Sequence, residues 1–367
     1  MKNITWITSG YLLQVDLPIL SYLKDYYQIH WVVIAKDGSD KQKTACEYAQ
    51  EHDIEIEFCS PRGHRYLPLC LMDYFSLMKR LSQRNSDIYY FNMITFPYAI
   101  FAIQKFIDSH KIIVAMHHGK IHKGMQLRHI YKYYLKFLCN KPYSFQYFSE
   151  SQAAYFSGKD RNRTCVIPLA LNDFGKSTDK PDNQIISFLS FGHIIETKNI
   201  GLLIQAACKL KEMIDIPFKV KIVGHCRQWE SIYQPLIKYP EIFDLDIRMV
   251  PDSMIPQLFS SSHYLILPYK AVTQSGPLRI AYGYNMPVIA SDLEGFQESV
   301  VDGVTGLLFK SEDVQSLINT MKECVTSGYV YYEKLKDKQN AYVKSNLDVM
   351  AVVAKYKSMF DIFKSNI

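Results

Sequence analysis

The chain has 367 residues and a net charge of +6 at pH 7. A chain of this length exceeds what one compact core accommodates, so two domains are predicted. Its eight cysteines are scattered and include no C-x-x-C pair, which argues against a disulfide or zinc framework and favours reduced thiols. The small surplus of positive charge is compatible with nucleic acid, anionic lipid or phosphorylated substrates and does not choose among them.

The beginning of the chain, MKNITWITSGYLL, contains too short an apolar stretch for a signal peptide. The longest uncharged apolar runs have the length of strands, so no segment is predicted to span a membrane. These features predict a soluble, cytoplasmic protein.

Short runs rich in β-branched and aromatic residues recur along the first half and are separated by segments of helical length. The predicted strands lie at 2–8, 29–35, 54–59, 88–93, 111–117, 144–149 and 164–170. A polar stretch with proline and glycine, LNDFGKSTDKPDNQ, follows at 171–184 and predicts a linker.

The alternation then resumes. Strands are predicted at 185–192, 218–224, 243–250, 263–269 and 287–291, with helices at 200–212, near 254–262, after 276 and at 312–325. Alternating strands and helices predict a parallel sheet in each half, buried on both faces. The predicted fold class is α/β, with two doubly wound Rossmann-like domains that face each other across a cleft. The first predicted domain is residues 1–172, together with a C-terminal helix within 346–367 that crosses back to it. The second predicted domain is residues 180–345.

The stretch TQSGPLRIAYG at 273–283 follows an apolar run, HYLILPY, at 263–269. Small residues with free backbone N–H groups therefore precede a helix, and such a position is typical of an anion-binding site. Because ligands of parallel sheets bind at the carboxyl ends of strands, the sequence predicts a phosphate site here.

The second half resembles the donor-nucleotide domain of glycosyltransferase family 4, retaining enzymes of the two-Rossmann GT-B fold. The resemblance is carried by FGHIIETKNIGLLIQA, KIVGH, MIPQLFSSSHYLILPY and TQSGPLRIAYGYNMPVIASDLEGFQESVVDGVTGLLF, in the family's order. It is dense from about 185 to 325 and thin before that. The nearest variant is the Q-S-G loop variant of bacterial polysaccharide glycosyltransferases.

The resemblance implies an enzyme, a glycosyltransferase of the hexosyltransferase class, that uses a nucleoside diphosphate sugar. The residues that it implies for the donor diphosphate are His193, Lys198, Gln274, Ser275 and Gly276. His193 stands where the family has an arginine. The catalytic residues that it implies are His117, His118 and Lys198, and the nucleotide-site loops contain Gly10, Gly192, Gly224, Val250 and Glu298.

Two positions depart from the family pattern. Val272 and Ile280 stand where many relatives carry two glutamates, one for the donor sugar and one for the ribose. The ribose contact is therefore expected to come from elsewhere or to be absent.

No Asp or Glu stands out as a covalent nucleophile, so the resemblance implies front-face attack with the leaving diphosphate as base. No cofactor and no metal are expected, because the only D-x-D, at 244–246, lies within a predicted strand. The expected acceptor is a glycan or a lipid-linked saccharide, in the synthesis of bacterial surface polysaccharide.

Three further interpretations remain. With its ribose glutamate missing, the chain is also compatible with a non-catalytic subunit that binds nucleotide sugars, or with a sugar-nucleotide epimerase of the same fold.

The segment RHIYKYYLKFLCNKPYSF at 128–145 mixes cations and aromatics. It is compatible with an ordinary amphipathic helix or with a surface helix that contacts an anionic membrane from the inner face. No nucleic-acid partner is expected.

Overall fold

The computed structural model describes residues 1–62, 68–94, 97–117, 128–156, 163–272 and 275–363. Their contacts divide the chain into two compact units, residues 1–170 with 349–367 and residues 171–348. Each unit contains a parallel sheet with helices on both faces. The predicted fold class, a two-domain doubly wound α/β protein, is confirmed.

The described strands, in chain order, are β1 (Lys2–Ser9), β2 (Tyr27–Ile34), β3 (Glu55–Cys59), β4 (Ile88–Asn92), β5 (Ile112–Met116), β6 (Ser144–Tyr147), β7 (Thr164–Val166), β8 (Ile186–Phe191), β9 (Phe218–Val223), β10 (Phe243–Asp246), β11 (Tyr264–Leu267), β12 (Val288–Ser291) and β13 (Gly306–Phe309). The described α-helices are α1 (Leu13–Leu23), α2 (Asp40–Glu51), α3 (Pro68–Gln83), α4 (Pro97–Phe106), α5 (Arg128–Cys139), α6 (Glu150–Phe156), α7 (Ile200–Met213), α8 (Ile255–Ser260), α9 (Gly276–Gly283), α10 (Glu294–Gln297), α11 (Val314–Asn346) and α12 (Val349–Ile362).

The sheet of the first unit has the order β3-β2-β1-β4-β5-β6-β7 among its described residues, with all neighbours parallel. Successive side chains of β1 point to opposite faces, as in any strand. Trp6 packs in the core with α1, α2 and α12, whereas Ile7 packs in the core with α3, α4 and α5. Both faces are therefore covered, which explains why the strand sequences are continuously apolar.

The last helix belongs to the first unit. On α12, the rings of Tyr356 and Phe360 lie 5.7 Å and 6.3 Å from the ring of Trp6. Lys2 donates a hydrogen bond from Nζ to the Phe360 carbonyl at 2.6 Å. The prediction that the C-terminal helix crosses back to the N-terminal domain is thus confirmed.

The sheet of the second unit has the order β10-β9-β8-β11-β12-β13 in the described chain, again all parallel. On β8, Phe188 packs with α7 and α11, and Leu189 packs with α8 and α9. The strand order reverses between β8 and β11, and ligands of such sheets bind at that point, outside the carboxyl ends of the strands.

Some element boundaries differ from the prediction. The strand predicted at 243–250 ends at Asp246, and the helix predicted at 312–325 continues to Asn346 as α11. Within α11 the backbone at Gly328 is non-helical, with φ of 64°. The glycine explains why the helical pattern is interrupted there.

Charged side chains pair at the edge of the first sheet. His30 Nε2 lies 3.0 Å from Glu57 Oε2, and Arg80 donates from Nη2 to Glu57 Oε1 at 2.8 Å. These contacts, the one with His30 above all, lower the pKa of Glu57 to about 2. A carboxylate with a lowered pKa stabilises the fold at a pH above its unfolded value, and that contribution is lost as the pH falls through the folded value.

We expect Glu57→Gln to lower the free energy of unfolding by about 1 kcal/mol at pH 7, since it removes charge-assisted hydrogen bonds that are partly exposed to water. The difference from the unchanged protein should shrink as the pH falls from about 4.5 towards 2. Urea unfolding at a series of pH values measures it. Glu51→Gln, at an exposed residue at the end of α2, is the matched control. A difference that stays constant down to pH 3 would contradict the assignment.

Candidate functional site

Three segments of the second unit meet where β8 ends. Gly192 follows β8 with φ of +105°. A Cβ atom at this position would lie 3.2 Å from Lys198 Nζ and 3.6 Å from Cγ of Pro277. The turn after β8 therefore lies directly beside the Lys198 ammonium group and the start of α9. Glycine permits this close approach because it has no Cβ.

Lys198 ends a short 3-10 turn, Glu196–Lys198, that Asn199 terminates in the left-handed conformation. The backbone of this turn is tied to the segment after β11, since the Lys270 N–H donates to the Thr197 carbonyl at 2.8 Å. These local contacts fix where the lysine side chain leaves the main chain.

The Lys198 side chain is half-buried, and its Nζ lies 5.0 Å from the centre of the Tyr269 ring. Burial lowers the pKa of Lys198. None of the ion pairs among the described residues involves this ammonium group. A cation that is partly removed from water without a carboxylate partner favours the binding of an anion.

The start of α9 differs slightly from the prediction. The helix begins at Gly276, so Pro277 is its second residue and not its first. Ser275 is the N-cap, and its Oγ accepts a hydrogen bond from the Leu278 N–H at 3.3 Å. Pro277 has no N–H, and the Leu278 N–H is occupied by the cap, so Gly276 supplies the N–H that the first turn offers to a ligand.

The surroundings of Gly276 are open. The residue is exposed, and no described atom lies within 4 Å of the place where its Cβ would be. Backbone N–H groups at the first turn carry the positive end of the helix dipole. The arrangement therefore combines a helix start with a nearby ammonium group, which is suited to a phosphate or diphosphate. Gln274 lies outside the described residues.

The main chains of Gly192 and Gly224 are in direct contact. A Cβ at Gly224, where φ is +147°, would lie 2.0 Å from the Gly192 carbonyl oxygen. Hydrogen bonds cross between the same segments, from the Gly192 N–H to the Val223 carbonyl and from the Ile194 N–H to the His225 carbonyl, both at 2.9 Å. A glycine at 224 is thus required for the loops after β8 and β9 to meet.

This contact also brings two imidazole rings together. The rings of His193 and His225 stack with centres 5.6 Å apart and planes inclined by 22°. His193 is exposed and His225 is half-buried. His193, which stands in the place of the family's arginine, therefore has an open ring at the rim of the site.

The other residues of this unit that the sequence singled out lie mainly against apolar side chains. Val250, Val272 and Ile280 are half-buried and pack against the apolar core that contains α8 and α9. The last two thus offer no hydrogen bond to a ribose. Glu298 is the C-cap of α10, directly after the last residue of that helix.

In the first unit, Gly10, which the sequence placed in a nucleotide-site loop, is buried and begins a 3-10 turn directly after β1. A Cβ there would lie 3.1 Å from Cβ of Ala35, so the glycine allows close packing between neighbouring segments.

His117 follows β5 and is buried. Its ring lies 4.4 Å from that of Phe148, and its Nε2 lies 2.5 Å from Oδ1 of Asn92. Asn92 in turn contacts Asp16, a buried carboxyl group on α1. The sequence analysis missed Asn92 and Asp16. The available signal was a single charge inside an apolar helix, LLQVDLPIL. His118 lies outside the described residues.

Two properties of the described residues concern metals and membranes. In the part of the chain that the structure describes, no group of three His, Cys, Asp or Glu side chains is arranged to hold a metal ion. The expectation that no metal is required stays a prediction. Among the same residues, no helix has the length and apolarity needed to cross a membrane.

Part of the second unit matches a known protein family. Residues 185–327 match the model of a family described as Glycosyl transferases group 1. The match covers less than half of the chain, but it contains all of the contacts described around Lys198. No curated protein matches the sequence.

Solved structures resemble the whole chain. A glycosyltransferase from Rickettsia africae superposes with a TM-score of 0.79 at 15% identity, over 100% of this chain and 99% of that one. Anabaena HepE, solved in complex with UDP-glucose, gives 0.71 at 15% identity over 100% of both chains. The lipopolysaccharide outer core galactosyltransferase WaaB, in its apo form, gives 0.69 at 14% identity over 99% of both.

At these identities the structural likeness shows the GT-B fold, and the family match adds the enzyme class. Together they support a glycosyltransferase, as predicted from the sequence. Membership of glycosyltransferase family 4 and of its Q-S-G variant stays a prediction.

We expect Gly224→Ala to disrupt the second unit, because its Cβ would overlap a backbone oxygen and its φ is strained for alanine. The loss in free energy of unfolding should be at least about 3 kcal/mol. Gly303→Ala is the matched control: Gly303 has φ of +70° but open space around its Cβ, so it should lose only about 1 kcal/mol. Urea unfolding compares the two. Equal losses would show that the contact with Gly192 is unimportant.

Proposed function

We propose that the protein transfers a sugar from a nucleoside diphosphate sugar to a glycan or lipid-linked acceptor, with retention of the anomeric configuration. The observation that carries the proposal is the half-buried Lys198 ammonium group, which has no carboxylate partner among the described residues and lies beside the start of α9. A diphosphate supplies the missing negative charge.

The same groups assist the reaction. When the bond between the anomeric carbon and the diphosphate breaks, negative charge grows on the β-phosphate, and stabilising that charge lowers the barrier. The helix dipole contributes about 0.3–2 kcal/mol. A hydrogen bond from the Lys198 ammonium contributes about 1.5–3 kcal/mol. Since burial strengthens electrostatic interactions, Lys198 is the larger contributor.

The donor is proposed from two sources. HepE, one of the structural neighbours, is seen with UDP-glucose, and the resemblance assigns the diphosphate to Lys198, Ser275 and Gly276. His193 replaces a guanidinium, which donates two parallel hydrogen bonds, with an imidazole that donates one. This exchange weakens one diphosphate contact relative to enzymes with arginine.

Retention follows from the resemblance. The acceptor hydroxyl attacks the anomeric carbon on the face from which the diphosphate leaves, and its proton passes to a phosphate oxygen. The C–O bond to the diphosphate breaks as the new glycosidic bond forms on the same face. The chain supplies charge stabilisation, and the leaving group supplies the base.

The acceptor is proposed from a structural neighbour, and the membrane association is proposed from the exposed residues of α5. WaaB, another neighbour, is a galactosyltransferase of the lipopolysaccharide outer core.

On α5, Lys136 and Phe137 are exposed. Just after this helix, Lys141 Nζ lies 4.4 Å from the Phe137 ring centre. Leu135 and Leu138 are buried. The exposed face thus combines cations with an aromatic ring, which supports peripheral binding of this cytoplasmic protein to an anionic membrane surface.

We expect the double substitution Lys136→Glu with Phe137→Ser to reduce co-flotation with vesicles of phosphatidylcholine and phosphatidylglycerol. It removes one cation and one exposed aromatic ring from the proposed contact. Lys209→Glu with Met213→Ser, a cation and an exposed apolar residue on α7, is the matched control. Equal binding by both double variants, or no binding by the unchanged protein, would refute the membrane contact.

The diphosphate site is tested with Lys198→Ala. We expect its affinity for UDP to fall about 10- to 100-fold, because a hydrogen bond to a charged group is worth about 1.5–3 kcal/mol. Calorimetry measures this, and thermal stabilisation by a panel of nucleotide sugars identifies the donor. Lys209→Ala, at an exposed lysine of the same unit, should bind as the unchanged protein does. Unchanged binding by Lys198→Ala would remove this residue from the site.

Incubation of the unchanged protein with the identified donor and candidate acceptors separates the functions. Release of nucleoside diphosphate with a product of retained configuration, read by NMR of the anomeric proton, supports the proposal. Interconversion of the sugar would indicate an epimerase. Binding without either reaction would indicate a non-catalytic subunit.

A further inference from the structure

A continuous chain of hydrogen bonds is buried in the first unit, at the carboxyl ends of β1, β4 and β5. Asp16 Oδ1 accepts from Asn92 Nδ2 at 2.7 Å, and Asn92 Oδ1 lies 2.5 Å from His117 Nε2. Asp16 also accepts from the hydroxyl of Thr8. All four side chains are buried, so water does not compete for these contacts.

The direction of each hydrogen bond follows from the chemistry of the groups. Trp31 donates from Nε1 to Thr8 Oγ1 at 3.1 Å, so the hydroxyl proton of Thr8 is directed to Asp16. An ionised carboxylate only accepts hydrogen bonds, so Asn92 turns its NH₂ group to Asp16 and its Oδ1 to His117. An oxygen at 2.5 Å from Nε2 requires a proton on Nε2.

We propose that Asp16 is a positioning residue, which acts through Asn92 to hold the neutral His117 ring with its proton on Nε2 and its lone pair on Nδ1. In a histidine ring, the hydrogen bond that one nitrogen makes decides which of the two nitrogens carries the proton. Here that control passes through one amide, whose exchanged orientation would turn its oxygen to the Asp16 carboxylate and lose that contact.

The electrostatic surroundings of Asp16 fit this role. Burial raises the pKa of Asp16 to about 7, and hydrogen bonds from its neighbours, that from Thr8 first, partly oppose the rise. The titratable groups that interact with it electrostatically are the phenols of Tyr48, Tyr90 and Tyr356. Burial raises the pKa of each phenol, so all three phenols are neutral at pH 8. Because the pKa of Asp16 is about 7, its carboxyl group is ionised at that pH.

The consequence for catalysis rests on the proposed function and on the family resemblance, which implies that His117 is a catalytic residue. A ring with its lone pair on Nδ1 accepts a hydrogen bond there, whereas the other tautomer donates one. The wrong tautomer reverses the polarity of that contact, and a site built for one polarity discriminates strongly against the other.

Nitrogen NMR of protein labelled with ¹⁵N-histidine tests the tautomer in the absence of substrate. At pH 8 the two-bond proton–nitrogen correlations of His117, identified by their loss in His117→Gln, should show the Nε2-protonated pattern. The Nδ1-protonated pattern would overturn the proposal. Because this measurement needs no variant of Asp16, it decides the question even if Asp16 substitutions fold poorly.

The variant Asp16→Asn sharpens the test. If the new amide keeps an oxygen on the Thr8 hydroxyl, as Asp16 does, it turns its NH₂ to Asn92, which then presents its own NH₂ to His117. We expect the tautomer of His117 to invert to the Nδ1-protonated form. Persistence of the Nε2-protonated form would overturn the proposal.

Thr5→Val is the matched control, because it also removes a buried hydrogen bond from β1, the one between Thr5 and Ser86 at 2.7 Å. It should leave the tautomer of His117 unchanged, and an inverted tautomer in this control would refute the specific role of Asp16.

Kinetics provide the second measurement. We expect Asp16→Asn to lower kcat at least about 10-fold while the Kd for UDP stays unchanged, and Thr5→Val to leave both unchanged. A kcat for Asp16→Asn equal to that of the unchanged protein would refute the catalytic consequence. If the unchanged protein transfers no sugar, the proposed function fails, while the NMR result still decides the role of Asp16.

Discussion

The candidate donor site depends on the contact between the main chains of Gly192 and Gly224. With any side chain at Gly224, the loops after β8 and β9 would be pushed apart, since its Cβ would overlap a carbonyl oxygen. The contact fixes the turn beside which Lys198 lies, and it brings the rings of His193 and His225 together. The Lys198 ammonium group is therefore positioned by residues that carry no charge at all.

Much of this site could be predicted from the sequence because its signals are local. The helix that starts near Ser275 was apparent from small residues and a proline after an apolar strand, and the structure moves its first residue by only one position. Alternating strands and helices were sufficient for the two parallel sheets. The position of the Lys198 ammonium group was implied by the order of the family's motifs and not by the lysine itself.

The remainder depends on contacts between residues that are distant in the chain. Asp16 and His117 are about a hundred residues apart, and Asn92, which joins them, lies at the end of another strand. No periodicity or spacing connects such residues. The same reason explains Gly10, whose neighbour Ala35 follows a different strand. Sequence patterns describe single elements well, whereas buried polar chains arise from the way elements assemble.

The return of α12 to the first unit has a consequence for biosynthesis. Trp6 packs against Tyr356 and Phe360, which leave the ribosome about 350 residues later. Residues 171–348 form a unit of their own. Domains generally fold as units during synthesis, and N-terminal ones first. Here the order is reversed: the N-terminal core is completed only after translation has passed the entire second unit.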